Sequence, residues 1–209
     1  QAKEARAAYE EALELDQNFA PAYLAIARLQ TAQNPRADVS EELNRAIQAD
    51  PNYGEAYLER IAYWLRVGET EAAEQDLEAA ESLLPDSPLI YLYRSMVALH
   101  KGEVEAALED ARTANETDKT LLPGYLVLGQ AFMAANRPGG AIRPLETYLL
   151  YAPEDASGWA ALGQAYFLMK RYSKALEALD QARELDANLP DIHLYRGLTH
   201  LALNDGRAA

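Results

Sequence analysis

Few residues in this 209-residue chain have types and spacings that could do chemistry. Its three histidines are His100, His193 and His200. His193 and His200 share one face of a helix, but two turns of rise, about 10 Å, part them too far for a common metal ion. Gly139-Gly140 is the only glycine pair; it lacks the following Lys-Ser/Thr of a phosphate loop, which would also need a preceding strand. No Gly-x-Ser-x-Gly elbow and no His-Glu-x-x-His pair occurs. With no cysteine there is no thiol nucleophile, thiolate metal ligand or disulfide. Asn115-Glu-Thr117 has the form of a glycosylation sequon, a motif short enough to arise by chance. The expectation is therefore no catalytic residue, no metal site and no cofactor.

Acids dominate the remaining polar chemistry: 33 Asp and Glu stand against 19 Lys and Arg, a net charge of −14. Such a balance argues against nucleic acid, whose phosphates need clustered Lys and Arg, and against anionic membrane surfaces. No apolar run approaches the ~18 residues of a membrane span, so no membrane insertion is expected. A stretch from Glu69 to Glu81 carries six acids and no base. At helical spacing it reads as a solvated face, with a docking patch for a basic partner as the alternative. A composition 49% hydrophobic and 25% charged is that of a globular protein.

The elements that would position these groups repeat with a fixed period. Windows of 34 residues beginning at Ala20, Gly54, Pro88, Leu122 and Ala156 align without a gap. Each opens near an aromatic: Tyr23, Tyr57, Tyr91, Tyr125 and Trp159. Four residues on come Ala27, Ile61, Ser95, Gly129 and Gly163, small in four of the five. Val39, Ala73, Ala107, Ala141 and Ala175 follow, then Ala46, Ala80, Ala114, Tyr148 and Ala182. Each window holds two amphipathic stretches joined by a turn signal such as Val67-Gly68 or Lys101-Gly102. Such a unit is a helical hairpin that cannot bury its apolar face alone, and stacked neighbours bury it for one another.

The period and the aromatic, small, Ala, Ala, Pro series resemble the tetratricopeptide repeat; Trp159-Ala-Ala-Leu162-Gly163-Gln-Ala-Tyr166 carries its first-helix signature. The resemblance implies an all-α, right-handed helical solenoid forming a single domain over 1–209. Its divisions are a second helix at 1–19, full repeats at 20–53, 54–87, 88–121, 122–155 and 156–189, and a first helix at 190–209. The chain opens inside this pattern, so it reads as a piece of a longer protein, with any targeting signal outside it.

Two departures stand out. Pro144 would lack a hydrogen bond to Gly140 and clash with it in a helix interior, at a cost of about 3 kcal/mol. A shortened, displaced second helix is predicted there, starting late enough to place Pro144 in its first turn, where the missing N–H is harmless. Arg60 and Arg94 occupy a place held by Ile26, Leu128 and Leu162 elsewhere, and 16 residues on those two repeats alone carry Asp76 and Asp110. An arginine at a helix interface needs a partner, so structural ion pairs Arg60–Asp76 and Arg94–Asp110 are expected. Arg196 holds the same place where the chain stops before supplying the partner.

In the resembling family the first helices line a concave groove for an extended peptide or partner helix. Transferred to this sequence, the groove stripe includes Leu58, Leu92, Tyr93, Met96, Leu99, Leu126, Gln130, Met133, Gln164 and Phe167. The family's carboxylate clamp uses Lys and Asn at places that hold Leu, Ala and Gln here, which excludes that ligand class. What is left is an apolar stripe with methionines suited to adaptable contacts and glutamines as polar handles. Core packing between helices is the competing role for any one of these residues. The function expected is a non-catalytic protein–protein interaction scaffold gripping an apolar or amphipathic partner segment. The alternatives are a substrate-recruiting or regulatory arm of a larger enzyme and a module that self-associates end to end through truncated repeats. Partner identity and localisation are not encoded in these features.

Overall fold

The computed structural model describes residues 2–208 and, among them, twelve α-helices and no strand. The first helices begin at Ala20, Gly54, Pro88, Leu122, Ala156 and Pro190, each 34 residues after the last. Two compact units divide the chain, Gln1–Val97 and Ala98–Ala209, with the boundary inside a helix. The first unit contains α1 (Ala2–Leu15), α2 (Ala20–Gln33), α3 (Ser40–Ala49), α4 (Gly54–Val67), α5 (Thr70–Leu83) and most of α6 (Pro88–Lys101). The second holds α7 (Val104–Thr117), α8 (Leu122–Ala134), α9 (Pro138–Tyr151), α10 (Ala156–Leu168), α11 (Tyr172–Leu185) and α12 (Pro190–Ala208). In the second unit each helix packs on the next in sequence, and α10 also touches α8 and α12.

Two kinds of turn set this order. Within a hairpin the chain reverses through a left-handed residue at Gly68, Gly102, Asn136 and Lys170, again 34 apart. The following N–H reaches back five residues into the helix end, as in Glu69 N to Trp64 O (2.9 Å) and Arg171 N to Tyr166 O (2.9 Å). Between hairpins, Asp16, Asp50, Asp118 and Asp186 each accept the backbone N–H two residues on, at 2.8–2.9 Å. The carbonyl just after each aspartate, or after Ala152 in its place, is then taken by a first-helix ring. Tyr23, Tyr57, Tyr125 and Trp159 donate to Gln17, Pro51, Lys119 and Pro153. His193 does the same through Nε2 to Ala187 at 2.8 Å, so this histidine ties a turn.

The small positions are where helices touch. Ala46, Ala73, Ala80, Ala107, Ala114, Ala141, Ala175 and Ala182 are fully buried. At Gly163 a methyl group would lie 2.6 Å from Leu179 Cγ and 3.2 Å from its backbone N, so only glycine permits this approach.

The expected shortening around Pro144 does not occur. Helix α9 runs unbroken from Pro138 to Tyr151, as long as α5, α7 and α11, with Pro144 inside it. Burial explains the outcome: Ala141, Ile142, Pro144, Leu145 and Leu149 all pack inward, and burying a leucine or isoleucine side chain is worth about 1.5–3 kcal/mol, enough in sum to outweigh one lost hydrogen bond. Gly140, whose carbonyl faces the proline ring, carries no Cβ, and Phe132 fills that space instead. The shortened second helix is α3, of 10 residues. There Asn34 is extended rather than left-handed (φ −142°), and Asp38 accepts both the N–H (3.0 Å) and the hydroxyl (2.7 Å) of Ser40. These local bonds compete with helix and delay its start.

Arg60 grips Asp76 with Nε (2.7 Å) and Nη2 (2.6 Å), and its Nη1 donates to Asn44 on α3. Arg94 donates to Glu81 at 3.0 Å in the first unit, and Asp110 is buried in the second. Arg196 does not go without a partner: its Nε donates to Asp180 (2.7 Å), 16 residues before it on α11. An arginine here can reach the helix before it as well as the one after, as Arg60 does with Asn44.

Candidate functional site

The predicted stripe sorts into two sets, one in each unit. In the first unit Leu58 and Leu92 are 7% and 3% exposed and belong to the core. Tyr93 and Met96 are half-buried against the same cluster. Burial pushes the Tyr93 hydroxyl up to about 12, with the Glu59 carboxylate adding to the rise and Arg28 opposing it. Arg28 Nε donates to Glu59 at 2.6 Å across α2 and α4. The pair lies beside Tyr93, and Glu59 holds the same repeat place 34 residues earlier.

In the second unit Leu99, Leu126, Met133 and Phe167 are half-buried, and Gln130 is exposed. Leu126, Met133 and Phe167 pack on a core containing Leu145, Leu162 and Ala165. Gln164 Nε2 donates to the Tyr195 hydroxyl (2.6 Å), and the Tyr195 ring meets Phe167 edge-on with centroids 5.5 Å apart. Tyr195 thus joins Gln164 and Phe167 across α10 and α12. The sequence reading omitted it, although it repeats Tyr93 three windows on. A cavity of about 220 Å³ lies beside it, lined by Ala160, Gln164, Asp191 and Tyr195 among others. Further along α12, Leu194, Leu198 and Leu201 are 58%, 38% and 62% exposed.

These surfaces can bind by shape and by a few amide and hydroxyl contacts. Among the described residues no cluster of three metal-ligating side chains occurs. Asn115 is buried, and its amide donates to Ala111 O (2.9 Å), which withdraws the sequon from the folded surface. Among the described residues no helix is long and apolar enough to cross a membrane.

Two family models match the chain: one described as "TPR repeat" over residues 163–204, the other as "Tetratricopeptide repeat" over 58–118. Both matched segments are tetratricopeptide repeats. No curated protein matches the sequence. Solved structures resemble it in fold. The Cut9–Hcn1 hetero-tetramer of the APC/C matches with TM-score 0.84 and 19% identity, over 95% of this chain and 39% of that one. PilW, a type IV pilus biogenesis factor, matches with TM-score 0.74 and 15% identity, over 92% and 90%. YrrB, described as a TPR protein with an unusual peptide-binding site, matches with TM-score 0.60 and 17% identity, over 91% and 98%. The tetratricopeptide chain therefore spans about two fifths of the Cut9–Hcn1 chain it matches. Its fold is all-α, of the helical-solenoid class, and its general character is that of a protein-interaction scaffold.

Proposed function

We propose that this tetratricopeptide chain performs no chemistry of its own and holds an apolar or amphipathic segment of another protein on its first-helix stripe. The observation that carries this reading is the group Met133, Gln164, Phe167 and Tyr195 in the second unit: half-buried apolar surface with an amide and a hydroxyl placed beside it. In the first unit Tyr93 and Met96 would play the same part. A partner docking here contributes apolar area and satisfies Gln130, while Leu58 and Leu92 serve as packing beneath.

Selection of peptides from a displayed random library against the intact chain tests it. Selected peptides should be apolar or amphipathic, and Met133→Glu or Met96→Glu should weaken them at least about tenfold, the cost of burying a charge in an apolar contact. Unchanged affinity in both variants would remove the stripe as the site. Self-association is a second reading favoured by one observation, the exposed Leu194, Leu198 and Leu201 on α12. A monomer at every concentration in analytical ultracentrifugation would discard it.

A further inference from the structure

A roomier cavity lies away from the stripe. It is a cleft of about 540 Å³ between α9 and α11, both of which pack on α10, within the range of ligand-binding pockets. On α10 the stripe residues Gln164 and Phe167 point one way. Trp159, Leu162 and Tyr166, which line the cleft, lie roughly 130° around the helix from them at about 100° per residue. The two surfaces are separate.

Leu149, Leu162 and Ala178 make an apolar floor, all buried. Leu150 forms a lip and is 73% exposed, a large apolar side chain left in water at the mouth. The rim is acidic. Glu146 Oε1 accepts the Tyr166 hydroxyl, and Lys174 Nζ lies 5.4 Å over the Tyr166 ring. The one cation of the cleft is thus held on an aromatic face, and Glu177, exposed on α11, completes the rim as a second carboxylate. Two carboxylates against one lysine give the cleft lining a net negative charge, on a chain whose own charge is −14, with Arg171 acting on Tyr166 from beyond the lining.

We propose that this cleft is a second docking site, taking a segment of a partner protein in which a bulky apolar side chain adjoins lysine or arginine. The apolar side chain lies on Leu149, Leu162 and Ala178 under Leu150, and the cation sits at Glu146 and Glu177. An acidic partner is refused by the same carboxylates.

The two tryptophans make the test direct, because Trp159 lines the cleft and Trp64 lies in the other unit. The capped tetrapeptide acetyl-Lys-Leu-Phe-Arg-amide is titrated into the intact, nitrogen-15-labelled chain, beside acetyl-Glu-Leu-Phe-Glu-amide. The basic peptide should shift the Trp159 indole signal saturably and leave Trp64 unmoved, and the acidic peptide should shift neither. Glu146→Gln with Glu177→Gln should weaken binding at least about fivefold, as loss of two exposed ion pairs would. Leu150→Ser, at an exposed position that leaves folding intact, should also weaken it. An unmoved Trp159 signal overturns the proposal, as do equal shifts from both peptides. Movement confined to the Gln164 side chain would place the peptide on the stripe and overturn it too.

Discussion

Arg60 and Asp76 meet as a two-point clamp between α4 and α5, Nε to Oδ2 at 2.7 Å and Nη2 to Oδ1 at 2.6 Å. Their side chains are only 18% and 8% exposed, and Trp64 Nε1 donates to the same carboxylate at 3.0 Å. Arg60 therefore depends on Asp76 to stay in a place where other repeats carry leucine.

Removing one partner should cost more than removing both. Asp76→Ala leaves a half-buried guanidinium uncompensated and should destabilise the chain by about 3 kcal/mol. Arg60→Leu with Asp76→Ala reproduces the Leu162 and Ala178 found at these places in another repeat. The double variant should recover at least half of the loss in urea denaturation. A double variant no more stable than the single would show that the pair contributes beyond satisfying its own charges.

Gly163→Ala should destabilise. At an exposed helical site the change would gain about 1 kcal/mol from helix propensity. Here the new methyl would stand 2.6 Å from Leu179 Cγ, and overpacking of this kind costs about 1–3 kcal/mol. A raised melting temperature would show that Leu179 moves aside freely.

Lys170→Gly should stabilise. Lys170 adopts φ 57°, the conformation that Gly68 and Gly102 supply at the same repeat place. A left-handed non-glycine residue costs about 1–2 kcal/mol, partly offset by the entropy that glycine adds to the unfolded chain. A net gain near 1 kcal/mol in the unfolding free energy is expected, and a loss would locate an unrecognised contact of the lysine side chain.

Alkaline pH should weaken the fold in a defined window. Burial pushes the hydroxyls of Tyr93, Tyr148 and Tyr166 up to about 12, helped by Glu59 for the first and by hydrogen bonds to Asp155 and Glu146 for the others. A pKa raised on folding means that the neutral hydroxyl is favoured by the native state. Its contribution is complete below the unfolded value near 10 and lost as pH rises towards 12. Absorbance at 295 nm should show an ionisation step near pH 12, and Tyr166→Phe should shrink both that step and the fall in urea midpoint.

Much of this was legible because the repeat is a strict translation along the chain. Helix starts, the left-handed turns at Gly68 and Gly102, and the buried alanines follow from spacing and residue type. The unbroken helix at Pro144 was not legible because local propensity does not include the core that α9 buries. The short α3 was overlooked although Asp38-Val-Ser40 was there to be read. Arg196 was assigned only a forward neighbour, whereas helix packing offered it Asp180 behind.

By itself, then, the order of residues determined the period, the helices, the turns and the lack of catalytic motifs, since each depends on neighbours a few positions apart. Only the tertiary structure decided that Leu58 and Leu92 are core, that Tyr195 joins Gln164 and Phe167, and that an acid-rimmed cleft opens between α9 and α11. These depend on how closely helices approach, a distance set by the packing of side chains from several elements at once.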